Sequence, residues 1–213
     1  MCGRFSSWKE ENDEEINKII QESGLFSEER DSLFPLKTRG DVHPTDVVPV
    51  IYRGGLKNFE LRAAPMRWGY PGYPDKMKPN VKPRPLINAK GETAPALRTW
   101  KDSLRSRRCV VPTSGFYEWS SDKAKNKIKH LFTDPRSPGL LLGGVYKRFK
   151  DESGAAFPHF SIITIAANDS MIKIHNRMPL VLTKKDFPLW FSATDDFTSL
   201  LNGNSIELES EPV

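Results

Sequence analysis

The sequence predicts an α+β fold: a single domain around a mainly antiparallel, barrel-like β-sheet with short flanking helices. Three observations carry this. A length of 213 residues suits one large domain over residues 1–213 better than two small ones. Strand-like runs fill the middle of the chain without alternating regularly with helices, which argues against a parallel α/β sheet. The 12 Phe, 5 Trp and 5 Tyr supply enough aromatic area to bury a core.

Ser7 and Glu10 have the spacing of a capping box, and Ile16, Ile19 and Ile20 recur at helical spacing. A helix is therefore expected over residues 8–23, stopped by Gly24. Residues 47–52 and 58–62 read as a hairpin around Gly54 and Gly55. Residues 65–85 are rich in proline, which removes backbone donors and opposes helix, so they read as an extended surface loop. Over residues 94–106, Leu97, Trp100 and Leu104 share one stripe of a second helix. Strand character returns at residues 108–112, 115–119, 127–132, 140–146 and 159–165. A short helix is expected at 168–174, a strand at 180–182, and further short helices at 184–191 and 195–201. The acidic tail, 207–213, is expected to fray. No internal repeat or low-complexity linker divides the chain.

Composition excludes several classes. Hydrophobic residues at 38% and charged residues at 28% belong to a folded chain. The apolar run at residues 140–145 falls far short of a membrane span, so no membrane partner is expected. The opening Met-Cys-Gly-Arg-Phe-Ser-Ser lacks the apolar core of a secretory signal, and two Cys cannot form a disulfide framework. A cytoplasmic location is the expectation. Four His and two Cys show no paired ligand spacing, so neither a metal nor a cofactor is expected. A net charge of +5 leaves nucleic acid open as a partner without demanding it.

Cys2 is the most informative residue because of its position. Removal of Met1 would leave a thiol and a free α-amine on neighbouring carbons. An α-amine titrates at about 7.7–8.0 and a thiol at about 8.5, so both are partly deprotonated near neutrality. Such an amine condenses with an aldehyde to an imine, and the thiolate can close on it to a five-membered thiazolidine. The same thiolate could attack an amide carbonyl, or Cys2 could be an ordinary residue at a frayed end. Cys109, in the apolar run Cys109-Val110-Val111, reads as a buried small hydrophobe.

Glu118 lies in the aromatic run Phe116-Tyr117-Glu118-Trp119, on the same strand face as Phe116. A carboxyl there is either desolvated, which suits proton transfer, or on the solvated face of an edge strand. His175 sits in a polar triplet enclosed by apolar residues and could move protons, or be a core histidine with a satisfied hydrogen bond. Asn88 follows an apolar run and could be a turn residue or a fixed donor to a substrate. His43, His130 and His159 have no comparable setting. Aromatic and basic residues interleave at Arg67-Trp68 and Arg98-Thr99-Trp100-Lys101, which fits single-stranded nucleic acid as well as surface charge over buried tryptophans.

Taken together, Met1-Cys2-Gly3-Arg4, Ile87-Asn88-Ala89, Ser114-Gly115-Phe116-Tyr117-Glu118-Trp119 and His175-Asn176-Arg177-Met178-Pro179 resemble one family in residue type and order. That is the SRAP (SOS response-associated peptidase) family, and the motifs extend over nearly the whole chain. The resemblance implies a monomeric, cytoplasmic protein, nucleoid-associated in a bacterium, whose partner is single-stranded DNA containing abasic sites. It implies covalent crosslinking through Cys2, with companion peptidase or lyase chemistry at the same nucleophile. By the same resemblance Asn88 orients the sugar or the Cys2 backbone, Glu118 relays protons and His175 assists ring opening. Arg4 and Lys90 become phosphate contacts, Trp68 an aromatic beside the DNA and Pro44 a proline beside the lesion. Lys90 stands where many members carry Arg, which turns a bidentate contact into a point charge. Gly69-Tyr70-Pro71-Gly72-Tyr73 also departs from the commoner pattern. The family's peptidase label means self-removal of residues ahead of the Cys, and here only Met1 precedes it. Two other readings remain open: a cysteine peptidase using Cys2, His175 and Glu118, and a noncovalent single-strand binder.

Overall fold

The computed structural model describes residues 2–9, 11–25, 35–55, 60–74, 77, 80–150, 154–203 and 206–213. Five strands close a barrel. β3 (Val47–Arg53) pairs with β4 (Leu61–Trp68), and β4 with β10 (Ala156–Ala166). Then β10 pairs with β9 (Leu140–Lys150), β9 with β6 (Arg108–Thr113), and β6 returns to β3. Every seam is antiparallel except β4–β10. Closure gives every barrel strand a neighbour on both sides, which reduces the hazard of unpaired backbone groups.

Two short strands extend the far end of β10. β5 (Asn88–Lys90) pairs parallel with Ile162–Thr164, and β11 (Arg177–Pro179) pairs antiparallel with Thr164–Ala166. β12 (Val181–Leu182) pairs with β9. A second sheet has the order β13 (Glu209–Pro212), β8 (Lys127–Thr133), β7 (Gly115–Ser121), β1 (Arg4–Ser6), β2 (Asp41–Val42).

The core lies between the barrel and this sheet. Phe5 of β1 packs 4.8 Å from Trp68 of β4, and Trp68 stacks on Phe160 of β10. Phe116 and Phe132, register partners on β7 and β8, stack at 5.1 Å. Burying a ring such as Phe5 contributes roughly 1.5–3 kcal/mol. Together with the pairing of Phe5 to both Phe116 and Val42, this fixes the N-terminal segment instead of leaving it frayed.

Several elements differ from the sequence expectation. The first helix, α1 (Glu14–Glu22), starts later, because Asp13 caps it by accepting from the Glu15 and Ile16 amides. Ser7 is instead stapled to the sheet, its amide donating to the Gly40 carbonyl; Glu10 lies outside the described residues. Gly24 does end the helix, at φ +62°. In the hairpin, β4 begins at Leu61 and runs to Trp68, so Pro65 is in a strand, opposite Pro49 of β3. Residues 56–59 lie outside the described set.

The second helix is shorter than its hydrophobic stripe. α2 covers only Lys101–Ser106, because Pro95 has no amide to give and breaks the stretch into separate turns. Leu97 is consequently 47% exposed while Trp100 and Leu104 are buried. Residues 168–174 form successive hydrogen-bonded turns, not a helix. Of residues 184–191, Phe187–Trp190 form α3 behind a 3-10 turn, and Asp195–Asn202 are 3-10. The tail does not fray over its whole length: β13 pairs along β8 from Thr133 to His130, with every β13 side chain exposed.

A candidate active site where the two sheets meet at Cys2

β1 delivers Cys2 to the junction of the barrel and the second sheet. The residue is 1% exposed, and its thiol donates to the Arg4 carbonyl at 3.7 Å. From the barrel side, Asn88 Nδ2 donates to the Cys2 carbonyl at 2.9 Å. Asn88 Oδ1 is buried with no hydrogen-bond partner among the described residues. Asn88 can reach across because β5 is locked to β10 at Ile162–Thr164, with Ala89 fully buried behind it.

From the second sheet comes Glu118. Alternation along β7 puts it on the inner face with Phe116, away from Tyr117 and Trp119. β7 is a central strand between β1 and β8, and Glu118 is 5% exposed, which decides between the desolvated and solvated alternatives. Burial pushes the Cys2 thiol up to about 12, and the Glu118 charge adds to the effect. Near neutrality Cys2 is therefore a thiol, not a thiolate.

His175 lies in the turn leading into β11, with Nδ1 accepting from the Arg177 amide at 2.9 Å. Arg177, which the sequence did not single out, is clamped by Glu92 through both nitrogens of its fork, one at 2.8 Å. That clamp holds the Glu92 carboxyl below the usual carboxylate range. Lys90 shares the β5 face of Asn88 and is paired in register with Thr164; Arg177 is in register with Ala166. Lys90, His175 and Arg177 thus gather around the far end of β10.

The other expected contacts are placed less uniformly. Arg4 lies over the Trp119 ring at 5.3 Å and 3.6 Å from Asp41 Oδ2, which also takes Lys129 Nζ at 2.9 Å. Burial works against the Asp41 charge, but its hydrogen bonds from Lys129 and Tyr117 outweigh that and lower its pKa. Pro44 sits in the tight turn between β2 and β3, next to Thr45 at φ +82°. That turn is fastened by the Thr45 amide to the Trp68 carbonyl.

Trp68 itself is fully buried, its indole nitrogen donating to the Ile87 carbonyl at 3.0 Å, so it offers no face to a ligand. The aromatic that is presented is Tyr73, 68% exposed, with its hydroxyl 2.8 Å from Thr99. It stands on an arm whose two limbs touch at Gly72, where a Cβ would meet the Arg84 carbonyl. The departure of residues 69–73 from the commoner family pattern was the available signal. Cys109 is fully buried, with its thiol pushed up by burial, as an inert hydrophobe would be.

Among the described residues no three His, Cys, Asp or Glu converge on a metal position, and no helix is long and apolar enough to cross a membrane. A cavity of about 710 Å³ lies between β1, α1 and residues 37–40, but it touches none of Cys2, Asn88, Glu118 or His175.

The fold and site define a class: a closed five-stranded barrel with an appended sheet, and Cys2 buried where the two meet, near Asn88 and Glu118. The chain belongs to the SOS response associated peptidase (SRAP) family, which it matches over residues 1–213. It is 30% identical over 199 residues to the abasic site processing protein YoqW of Bacillus subtilis, covering 90% of this chain and 80% of YoqW. It is 28% identical over 191 residues to the abasic site processing protein YedK of Escherichia coli, covering 89% of this chain and 79% of YedK. Solved structures share the fold. A Bacteroides thetaiotaomicron protein superposes with a TM-score of 0.75 at 21% identity, covering 100% of this chain and 92% of that one. One from Bordetella bronchiseptica gives 0.73 at 22%, covering 100% and 99%.

Proposed function

We propose that the chain processes abasic sites in single-stranded DNA by covalent capture, with Cys2 as the reagent once Met1 is removed. The α-amine attacks the aldehyde carbon of the ring-opened sugar, and loss of water gives an imine. The thiol then adds to the imine carbon: a C–S bond forms, the S–H proton passes to the nitrogen, and a thiazolidine results. Glu118 takes the proton from sulfur and returns it to nitrogen. Asn88 fixes the Cys2 carbonyl, and its buried Oδ1 accepts a hydroxyl proton of the sugar. His175, at the far end of β10, assists ring opening.

The observation that carries this reading is the seat of Cys2: buried, its carbonyl held by Asn88, and its thiol within reach of the Glu118 charge. The relatives YoqW and YedK, both abasic site processing proteins, agree with it in substrate. A thiol held near 12 favours amine-first chemistry, because imine formation does not need the thiolate. It disfavours a general cysteine peptidase, whose nucleophile needs a depressed value. Arg4, Lys90 and Pro44 line the DNA path, and Tyr73 takes the stacking role that Trp68, being buried, does not. The protein acts as a monomer in the cytoplasm, at the nucleoid in a bacterium.

The test is a denaturing gel with a uracil-containing oligonucleotide treated with uracil glycosylase. The parent protein gives a heat-stable adduct and Cys2→Ala gives none. Adduct in full yield from Cys2→Ala overturns the reading.

A further inference from the structure

We infer that His130 is a positioning residue for Glu118: it exchanges protons between that buried carboxyl and solvent, and so sets the pH dependence of capture. This rests on the reading of Glu118 as the proton carrier.

Glu118 must begin each capture as a carboxylate to take the sulfur proton, and at only 5% exposed it needs a neighbour through which to shed any proton it already holds. His130 is its register partner on β8. Cross-strand partners hold their Cβ atoms about 4.5–5.5 Å apart on one face of the sheet. Around them that face is apolar: Phe116 and Phe132 are fully buried, and Ile128 lies two residues from His130. Packing alone gives no reason for a histidine there. Ser120, two residues from Glu118 on the same face, holds His130 Nε2 at 2.8 Å. Both His130 and Ser120 are half-buried, so Glu118, His130 and Ser120 lead from the closed pocket to the rim of the sheet.

Histidine is the side chain that changes charge between about pH 5 and 8, which fits it to this exchange. The groups facing it are Glu118 and Ser120 from β7 and Pro212 from β13, with the Cys2 thiol beyond Glu118. Asp41, Lys127, Lys129, Glu209 and Glu211 lie on the reverse face by strand alternation. The proton balance is simple. One nitrogen of the imidazole accepts a proton from the Glu118 carboxyl while the other releases one to Ser120 or water; reloading runs in reverse. No oxidant, reductant or leaving group is involved.

The experiment is the single-turnover rate of adduct formation, at saturating abasic single-stranded DNA, followed from pH 5 to 9. The parent protein shows an inflection in that profile. His130→Ala and His130→Gln lose that inflection and are roughly tenfold slower at pH 7, and added imidazole restores the rate of the Ala variant. A purely structural role lowers the rate equally at every pH, without rescue, and overturns the inference, as does an unchanged inflection in both variants. If the parent protein forms no Cys2 adduct, the functional reading fails with it. Adduct with an unaltered pH profile removes His130 alone.

Discussion

The side-chain amide of Asn88 holds the carbonyl of Cys2 at 2.9 Å across 86 positions of sequence. One hydrogen bond thereby fastens the N-terminal segment, built into the second sheet, to a short strand of the barrel. A bond of this kind contributes about 0.5–1.5 kcal/mol net. Asn88→Ala should slow adduct formation roughly tenfold while leaving affinity for unmodified single-stranded DNA within about twofold, since 1.4 kcal/mol is a factor of ten. Single-turnover gels and fluorescence anisotropy measure the two separately. Equal losses in both would assign Asn88 to folding instead.

The Cys2 thiol is held up to about 12 first by burial and then by the Glu118 charge. Glu118→Gln removes the second cause, so the thiol should titrate lower and alkylate faster at pH 8. The stability linkage has a definite sign. A group raised on folding contributes stability that is fully present below its unfolded value, here 9.0, and is lost as pH rises towards 12. Denaturant titrations of the parent protein and Cys2→Ala should therefore diverge between pH 9 and 12, with the parent losing more. Parallel curves would contradict the burial of the thiol.

Trp68 and Tyr73 separate core from interface. Trp68→Ala opens a cavity in the stack of Phe5, Trp68 and Phe160, and should cost about 3–5 kcal/mol of stability. Tyr73→Ala removes an exposed ring and should leave the melting temperature almost unchanged. It should weaken single-strand binding by about 1–3 kcal/mol, the usual worth of a stacked base. Thermal melts and anisotropy on both variants check the assignment; the reverse pattern refutes it.

Lys90 and Arg4 should act through charge. Each alanine variant should weaken DNA binding across sequences and flatten the log-affinity against log-salt slope by about one. Arg4 starts paired to Asp41, so Asp41→Asn should strengthen binding by freeing that guanidinium. Salt titrations of the three variants measure this directly.

Much of the fold was legible because the strands between residues 108 and 165 carry their pattern locally, in β-branched and aromatic runs bounded by turn residues. The position of Cys2 marked it in the sequence as a candidate reagent, and the structure buries it beside Asn88. What sequence could not display depends on register and on burial between sheets. Asp13, not Ser7, starts the first helix, because Ser7 is held by Gly40 and Ser114 in the second sheet. Trp68 resembled a ligand-facing aromatic until Phe5 and Phe160 closed over it. In the acidic tail Leu208 is buried, and β13 beyond it pairs with β8 through backbone bonds although its own side chains are exposed. His130 carries no local signal, since only the β7–β8 register sets it opposite Glu118.

The most direct test of the account is the intact mass of the purified adduct, with alkylation of its remaining thiols. The account predicts the mass of a chain lacking Met1 plus the abasic oligonucleotide minus one water, with Cys2 resistant to alkylation. An adduct on a chain that still carries Met1, or one whose Cys2 alkylates freely, would contradict it.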